Sequence, residues 1–208
     1  MRFTHLRLFA ICSVLLFAVF AVAATPEAVF SKRGKLLFSD DFSTVAPAPG
    51  WAGKVGNWEV ANGTAKVSER PEDKHGAVRR YALDHHDAIS EFSFRFDGAS
   101  RIALVLDEKG AHVAILFITP KGMTLQTGKL ANTNDKSQEL ASLEVPIEGG
   151  KWHKAKLEVR GKRLTAQIDG NPPITGESER VDVDKKFVVF LVEGVSAELD
   201  NVQVHEVR

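Results

Sequence analysis

The side chains in this chain that could do chemistry are carboxylates and histidines, and their spacing limits what that chemistry is. Glu198-Leu199-Asp200 sets two acids two residues apart, which on a strand is one face. A pair of carboxyl groups flanking the bond is what glycoside hydrolysis requires. The next acid, Glu206, is too far along to extend the pair, so the motif reads as structural. His75 and His85-His86-Asp87 raise metal ligation. Adjacent strand residues point to opposite faces, so His85 and His86 cannot share one ion from a strand, and they read as loop histidines. There is no Gly-x-Ser-x-Gly elbow and no phosphate-cradling glycine loop. The one cysteine is Cys12. Beyond it, disulfides, thiolate catalysis and cysteine metal sites are excluded.

These residues must be positioned by strands, because convincing helical periodicity is missing after the N-terminal leader. The clearest element is the hairpin KWHKAKLEVRGKRLTAQIDG, residues 151–170. Ala155, Leu157 and Val159 alternate with Lys154, Lys156, Glu158 and Arg160, and Leu164, Ala166 and Ile168 alternate with Arg163, Thr165 and Gln167. That is a sheet with one dry face and one wet face. His153 shares parity with Ala155 and Leu157 and reads as a packed strand-start residue. Asn62-Gly63 between two short alternating runs marks a two-residue hairpin. Further strands are expected over 36–41, 58–61, 64–68, 77–83, 88–97, 101–107, 112–119, 122–127, 187–192 and 197–207, while 131–142 reads as a polar surface loop. Many short strands with turn chemistry between them imply an all-β sandwich of antiparallel sheets.

One face of three consecutive strands carries Ser93, Ala103 and Ala114. Small residues there predict an inward curve, a cup rimmed by Arg95, Arg101, Asp107 and His112 with Glu91 beside it. The competing reading is a second packing layer, since Val105, Leu116 and Ile118 share that parity. Among the tryptophans, Trp51 in its Pro-Gly-rich loop is the one expected to be exposed for stacking on a ligand.

The N-terminus has the three-part form of a secretory signal peptide. Arg2 and Arg7 precede an apolar run from Leu8 to Val22, and small residues follow at Ala21, Ala23 and Ala24. The expected organisation is a signal peptide over 1–24, a polar lead-in over 25–35 and one domain over 36–208. The product would be periplasmic or extracellular, with no membrane contact after cleavage. Without Arg2 and Arg7 the chain holds 25 basic and 27 acidic residues, interspersed. No basic stripe or polybasic segment is present, so nucleic acid and membrane surfaces are not expected partners.

Trp152-His153, the charged alternating strand, Gly161, Leu164 and Ile168-Asp169-Gly170 resemble the hairpin of laminin-G-like and pentraxin-like domains. Phe38-Ser39-Asp40-Asp41-Phe42, Gly56-Asn57-Trp58-Glu59-Val60 and Leu199-Asp200-Asn201-Val202 are similar to opening and closing strands in the same group. These belong to the concanavalin A-like lectin/glucanase superfamily, and the resemblance spans residues 36–208. It implies a jelly roll of two antiparallel sheets with adjacent termini. It also implies a structural calcium ion near the termini, for which Asp41, the backbone of Gly63 and Asp200 are the candidate ligands. No other cofactor is expected. Glucanases of this group place their acids in a Glu-x-Asp-x-(x)-Glu pattern, which this chain does not complete. The 3-keto-disaccharide hydrolase domains are similar in their strands, but their site motifs do not stand out here. The expected role is non-catalytic binding of a glycan or a cell-envelope component through Glu91, Arg95, Arg101, Asp107, His112 and Trp51. The alternatives are a saccharide-acting hydrolase and a structural or adhesive surface protein.

Overall fold

The computed structural model describes residues 30–44, 48–129 and 134–208. The expected signal peptide and Cys12 lie outside the described residues. Two antiparallel sheets stack face to face. The front sheet runs in the order β13 (Ile174–Glu177), β12 (Arg163–Ile168), β11 (His153–Arg160), β6 (Ala88–Phe96), β15 (Ala197–Val207), β4 (Thr64–Ser68), β3 (Asn57–Ala61), with β1 (Arg33–Asp40) also paired to β15. The back sheet runs β10 (Gln138–Glu144), β9 (Gly122–Thr127), β8 (Ala111–Thr119), β7 (Ala99–Glu108), β14 (Lys185–Gly194), β5 (Ala77–His85), β2 (Trp51–Val55). This is the all-β jelly-roll sandwich that the alternation implied.

Alternation builds the core directly. Phe92, Phe94 and Phe96 on β6 turn inward and are buried, facing Leu104, Leu116 and Phe190 of the back sheet within one cluster. Phe92 meets Phe190 edge-on at 5.0 Å between centroids. Each such ring contributes about 2 kcal/mol by leaving water. The 153–168 hairpin contributes Ala155, Leu157, Val159, Leu164, Ala166 and Ile168, all buried. His153 is packed as its parity predicted: its ring lies 5.4 Å from Phe94, its Nδ1 faces Asp169 Oδ2 at 2.7 Å and its Nε2 faces the Glu148 carbonyl at 2.9 Å. Asn62 and Gly63 both take positive φ, 54° and 74°, the geometry of a type I′ turn. The termini are adjacent, with Phe38 opposite Val204 and Asp40 opposite Val202.

Three strands depart from the sequence reading. Residues 138–142, expected within a loop over 131–142, belong instead to β10, whose alternation is broken by a bulge between Glu139 and Ala141. β2 is interrupted between Ala52 and Val55, where Gly53 takes a φ of 71°. β13 has only four residues. A Cβ on its Gly176 would stand 2.5 Å from Leu140 Cβ on β10, so a glycine is what lets these edges of the two sheets approach.

The expected cup is corrected. β6 and β7 are consecutive in the chain but lie in different sheets, so Ser93 and Ala103 share no face. Ala103 and Val105 belong to an apolar cluster on the outer side of the back sheet, whereas Ala114, Leu116 and Ile118 point into the main core. A register shift between Leu106 and Asp107 puts the two alanines on opposite faces.

Candidate functional site

The outer face of the front sheet carries a polar lane built by register. Gln167 on β12 lies opposite Lys156 on β11, Lys156 opposite Glu91 on β6, and Glu91 opposite Gln203 on β15. Three inter-strand steps make this row about 14 Å long. A second row pairs Lys154 with Ser93 and Ser93 with Asp200. Ser93 is the smallest side chain in the two rows. These rows enclose a groove of about 550 Å³, into which Asp169, Asn201 and Arg33 also reach.

One wall is the segment leading into β1. Ser31 donates from its backbone N to Glu158 Oε2 at 2.6 Å and from its hydroxyl to Oε1 at 2.9 Å, which satisfies a buried carboxylate. Phe30 lies against the Lys156 ammonium, 4.1 Å from its ring centre. Arg33 reaches Glu91, donating to Oε1 at 2.8 Å and standing 2.6 Å from Oε2. Just before β11, outside the residues that line the groove, stands Trp152, 42% exposed. The Arg95 guanidinium lies 5.2 Å from its ring centre and is itself paired to Glu198 at 2.6 Å.

Two of the residues singled out from the sequence, Glu91 and Arg95, therefore share this face. Arg101, Asp107 and His112 lie on the back sheet, at two ends of its outer apolar cluster. Arg101 pairs with Glu193 at 2.5 Å and covers Phe117 at 4.5 Å. His112 Nδ1 meets Asp107 Oδ1 at 2.6 Å, a hydrogen bond that raises the imidazole pKa above its ordinary value. Trp51 is not a free platform. Its Nε1 donates to Asp40 Oδ2 at 2.8 Å, and its ring packs on Phe38, Phe42, Tyr81 and Phe190. The exposed tryptophan is Trp152. Its parity with Lys154 and Lys156 on the wet face was the available signal. Gln167, Asn201, Gln203 and Arg33 had no such signal, because only the register brings them together.

The carboxylates facing this lane are engaged. Glu91 is held by Arg33 and, at 4.0 Å, by Lys156; Glu198 is held by Arg95; Glu158 is capped by Ser31. Asp169 and Asp200 are hydrogen-bonded as well, so among the described residues facing the lane there is no unengaged acid pair of the kind glycoside hydrolysis uses. The calcium ligands fare no better. Asp41 Oδ1 accepts from Ser43 N at 3.0 Å, and the Asp200 oxygens accept from Asn201 N and Nδ2 at 2.6 and 2.7 Å. Burial, then the charges of Asp41 and Asp40, push the Asp200 carboxyl up. Among the described residues no three His, Cys, Asp or Glu side chains gather to hold a metal. Two engaged carboxylates and the Gly63 carbonyl fall short of the six to eight oxygens calcium takes, so the residues present do not fit it.

No protein-family model matches the chain, and no curated protein matches it. Solved structures do. The carbohydrate binding module CBM66 from Bacillus subtilis superposes with a TM-score of 0.61 at 17% identity, over 76% of this chain and 96% of that one. The CBM2 module of the evolved Dit of Lactobacillus casei BL23 phage J-1 gives 0.62 at 14% identity, over 86% and 98%. SCLam, a non-specific endo-beta-1,3(4)-glucanase of family GH16, gives 0.61 at 15% identity, over 86% and 94%. At these identities the likeness is one of fold: this chain has the jelly-roll sandwich of those structures.

Proposed function

We propose that the protein is an exported, non-catalytic module that binds a glycan of the cell envelope or its surroundings through the outer face of the front sheet. The observation that carries this is the lane itself. Sugar hydroxyls both donate and accept hydrogen bonds, and the lane offers both kinds of partner: the Glu91 carboxylate, the Gln167 and Gln203 amides and the Lys156 ammonium along one row, and the Lys154 ammonium in the next. Trp152 adds an exposed ring at the lane's edge, suited to the apolar face of a sugar. Similarity of fold to carbohydrate-binding modules supports this reading, and similarity to a glucanase does not extend it to hydrolysis, because the lane's carboxylates are already paired.

Calorimetric titration of the protein with a panel of oligosaccharides, followed by chromatography of each mixture, tests it. Binding with every oligosaccharide recovered intact is expected. Shortened products would make the protein a hydrolase, and a folded protein that binds nothing on a broad panel would remove the glycan reading.

A further inference from the structure

Among the side chains lining the groove, cations outnumber carboxylates, and the excess has a definite position. Arg33, Lys154 and Lys156 face Glu91 and Asp169. Glu91 is shared by two of the cations, with Arg33 at 2.6 Å and Lys156 at 4.0 Å. Asp169 is used locally: one oxygen faces the His153 ring at 2.7 Å and the other accepts from the Lys154 backbone N at 2.8 Å. The Lys154 ammonium is left exposed, with no hydrogen bond or ion pair among the described residues, opposite the small Ser93. Across Ser93 the sign reverses, where Asp200 lies with Asp40 and Asp41 near it. That end repels anions.

We propose, building on the glycan-binding reading above, that the ligand is an acidic saccharide, one bearing a carboxylate or a sulfate ester, and that Lys154 binds its anionic group. The polarity of the lane sets the orientation. The anionic group sits over β11, and neutral hydroxyls meet Asn201 and Gln203 on β15. A compact ammonium in a half-enclosed groove makes an ion pair that salt weakens but does not erase. The Arg33 and Lys156 cations stay with Glu91, and because one carboxylate offsets only one of them they add to the positive field beside Lys154.

The test compares oligogalacturonate, its fully methyl-esterified form and a sulfated galactan oligosaccharide by calorimetry, with circular dichroism confirming the fold of each variant. The free acid or the sulfate ester is expected to bind about tenfold more tightly than the neutral ester at roughly 50 mM salt, with the preference shrinking as the Debye length falls at higher salt. Lys154→Met should remove most of that preference, Lys154→Arg should keep it, and Lys109→Met, in the β7–β8 turn, should leave it alone. Binding of the acid alone or of the sulfate alone identifies the anionic group. Equal binding of acid and ester, or a preference indifferent to Lys154→Met, would overturn the acidic-ligand inference and leave the glycan reading standing. Binding of none of the three, nor of any neutral oligosaccharide, would overturn both.

Discussion

The outer faces of the two sheets are built by the same alternation and end in opposite states. On the back sheet, Ala103, Val105, Ile115 and Val189 point outward yet are almost fully covered, with Val78, Phe117, Phe187 and Leu191 packed around them. The polar residues beside them are used up: Arg101 on Phe117 and Glu193, Arg80 over Phe187, His112 on Asp107. On the front sheet the outward residues are polar across four strands; among the described residues the Lys154 ammonium has no partner, and Trp152, with Arg95 over its ring, is still 42% exposed. The two tryptophans show the same contrast. Trp51 spends its indole N–H on Asp40, while Trp152 stands against solvent. Charged side chains on a strand therefore do not mark a site by themselves. Those whose partners are all within the fold finish a surface, and those left over can recognise something else.

The largest effect expected from this comparison is on the back sheet. Val189→Asp puts an unpaired carboxylate at a position only 5% exposed, and should cost about 3 kcal/mol or more. Gln203→Ala in the lane should cost no more than about 0.5 kcal/mol. Urea unfolding at neutral pH compares them. Equal midpoints would mean that the back face is open surface rather than a packed layer.

Next is a contrast of lysines. Lys185, at the start of β14, is fully buried and donates to the His86 carbonyl at 2.9 Å. Loss of solvation lowers its pKa from the ordinary 10.5 to about 8, against the opposing pull of Asp87, Asp182 and Asp184. Below pH 8 both folded and unfolded chains carry this charge, and the folded state bears the full cost. Between 8 and 10.5 only the unfolded chain stays protonated, so stability from this group rises with pH, by up to about 3 kcal/mol. Lys185→Met should lack that rise and be more stable than the natural protein at pH 7. A natural protein whose unfolding midpoint tracks that of the variant from pH 7 to 10 would show that the ammonium is not held in an apolar setting.

Trp152→Ala is the smallest change to the fold and a selective one for the site. Unfolding should shift by no more than about 0.5 kcal/mol, because the ring is largely outside the core. Oligosaccharide affinity should fall about fivefold through lost stacking. Loss of stability without loss of affinity would make Trp152 a packing residue.

Much of the sandwich was legible in local alternation. The faces of the 153–168 hairpin, the inward phenylalanines of β6 and the Asn62-Gly63 turn needed only neighbours in sequence. The split of Ser93 from Ala103 was not legible, because alternation reads the same whether the next strand pairs within a sheet or crosses to the other one. β10 escaped because a bulge breaks its period, and β13 because four residues are too short to show one. The site was half legible for the same reason. Glu91, Lys154 and Lys156 carried their wet-face parity openly. Gln167 and Gln203 join them only through pairings between strands far apart in the chain.

The most direct measurement is amide chemical-shift mapping of the isotope-labelled protein titrated with the tightest-binding oligosaccharide. The account predicts that the shifted amides cluster on the front sheet, at Glu91, Ser93, Lys154, Lys156, Gln167 and Gln203, with Arg101, Asp107 and His112 unmoved. A footprint centred on Val105, Ile115 and Val189 of the back sheet, with the front lane silent, would contradict it.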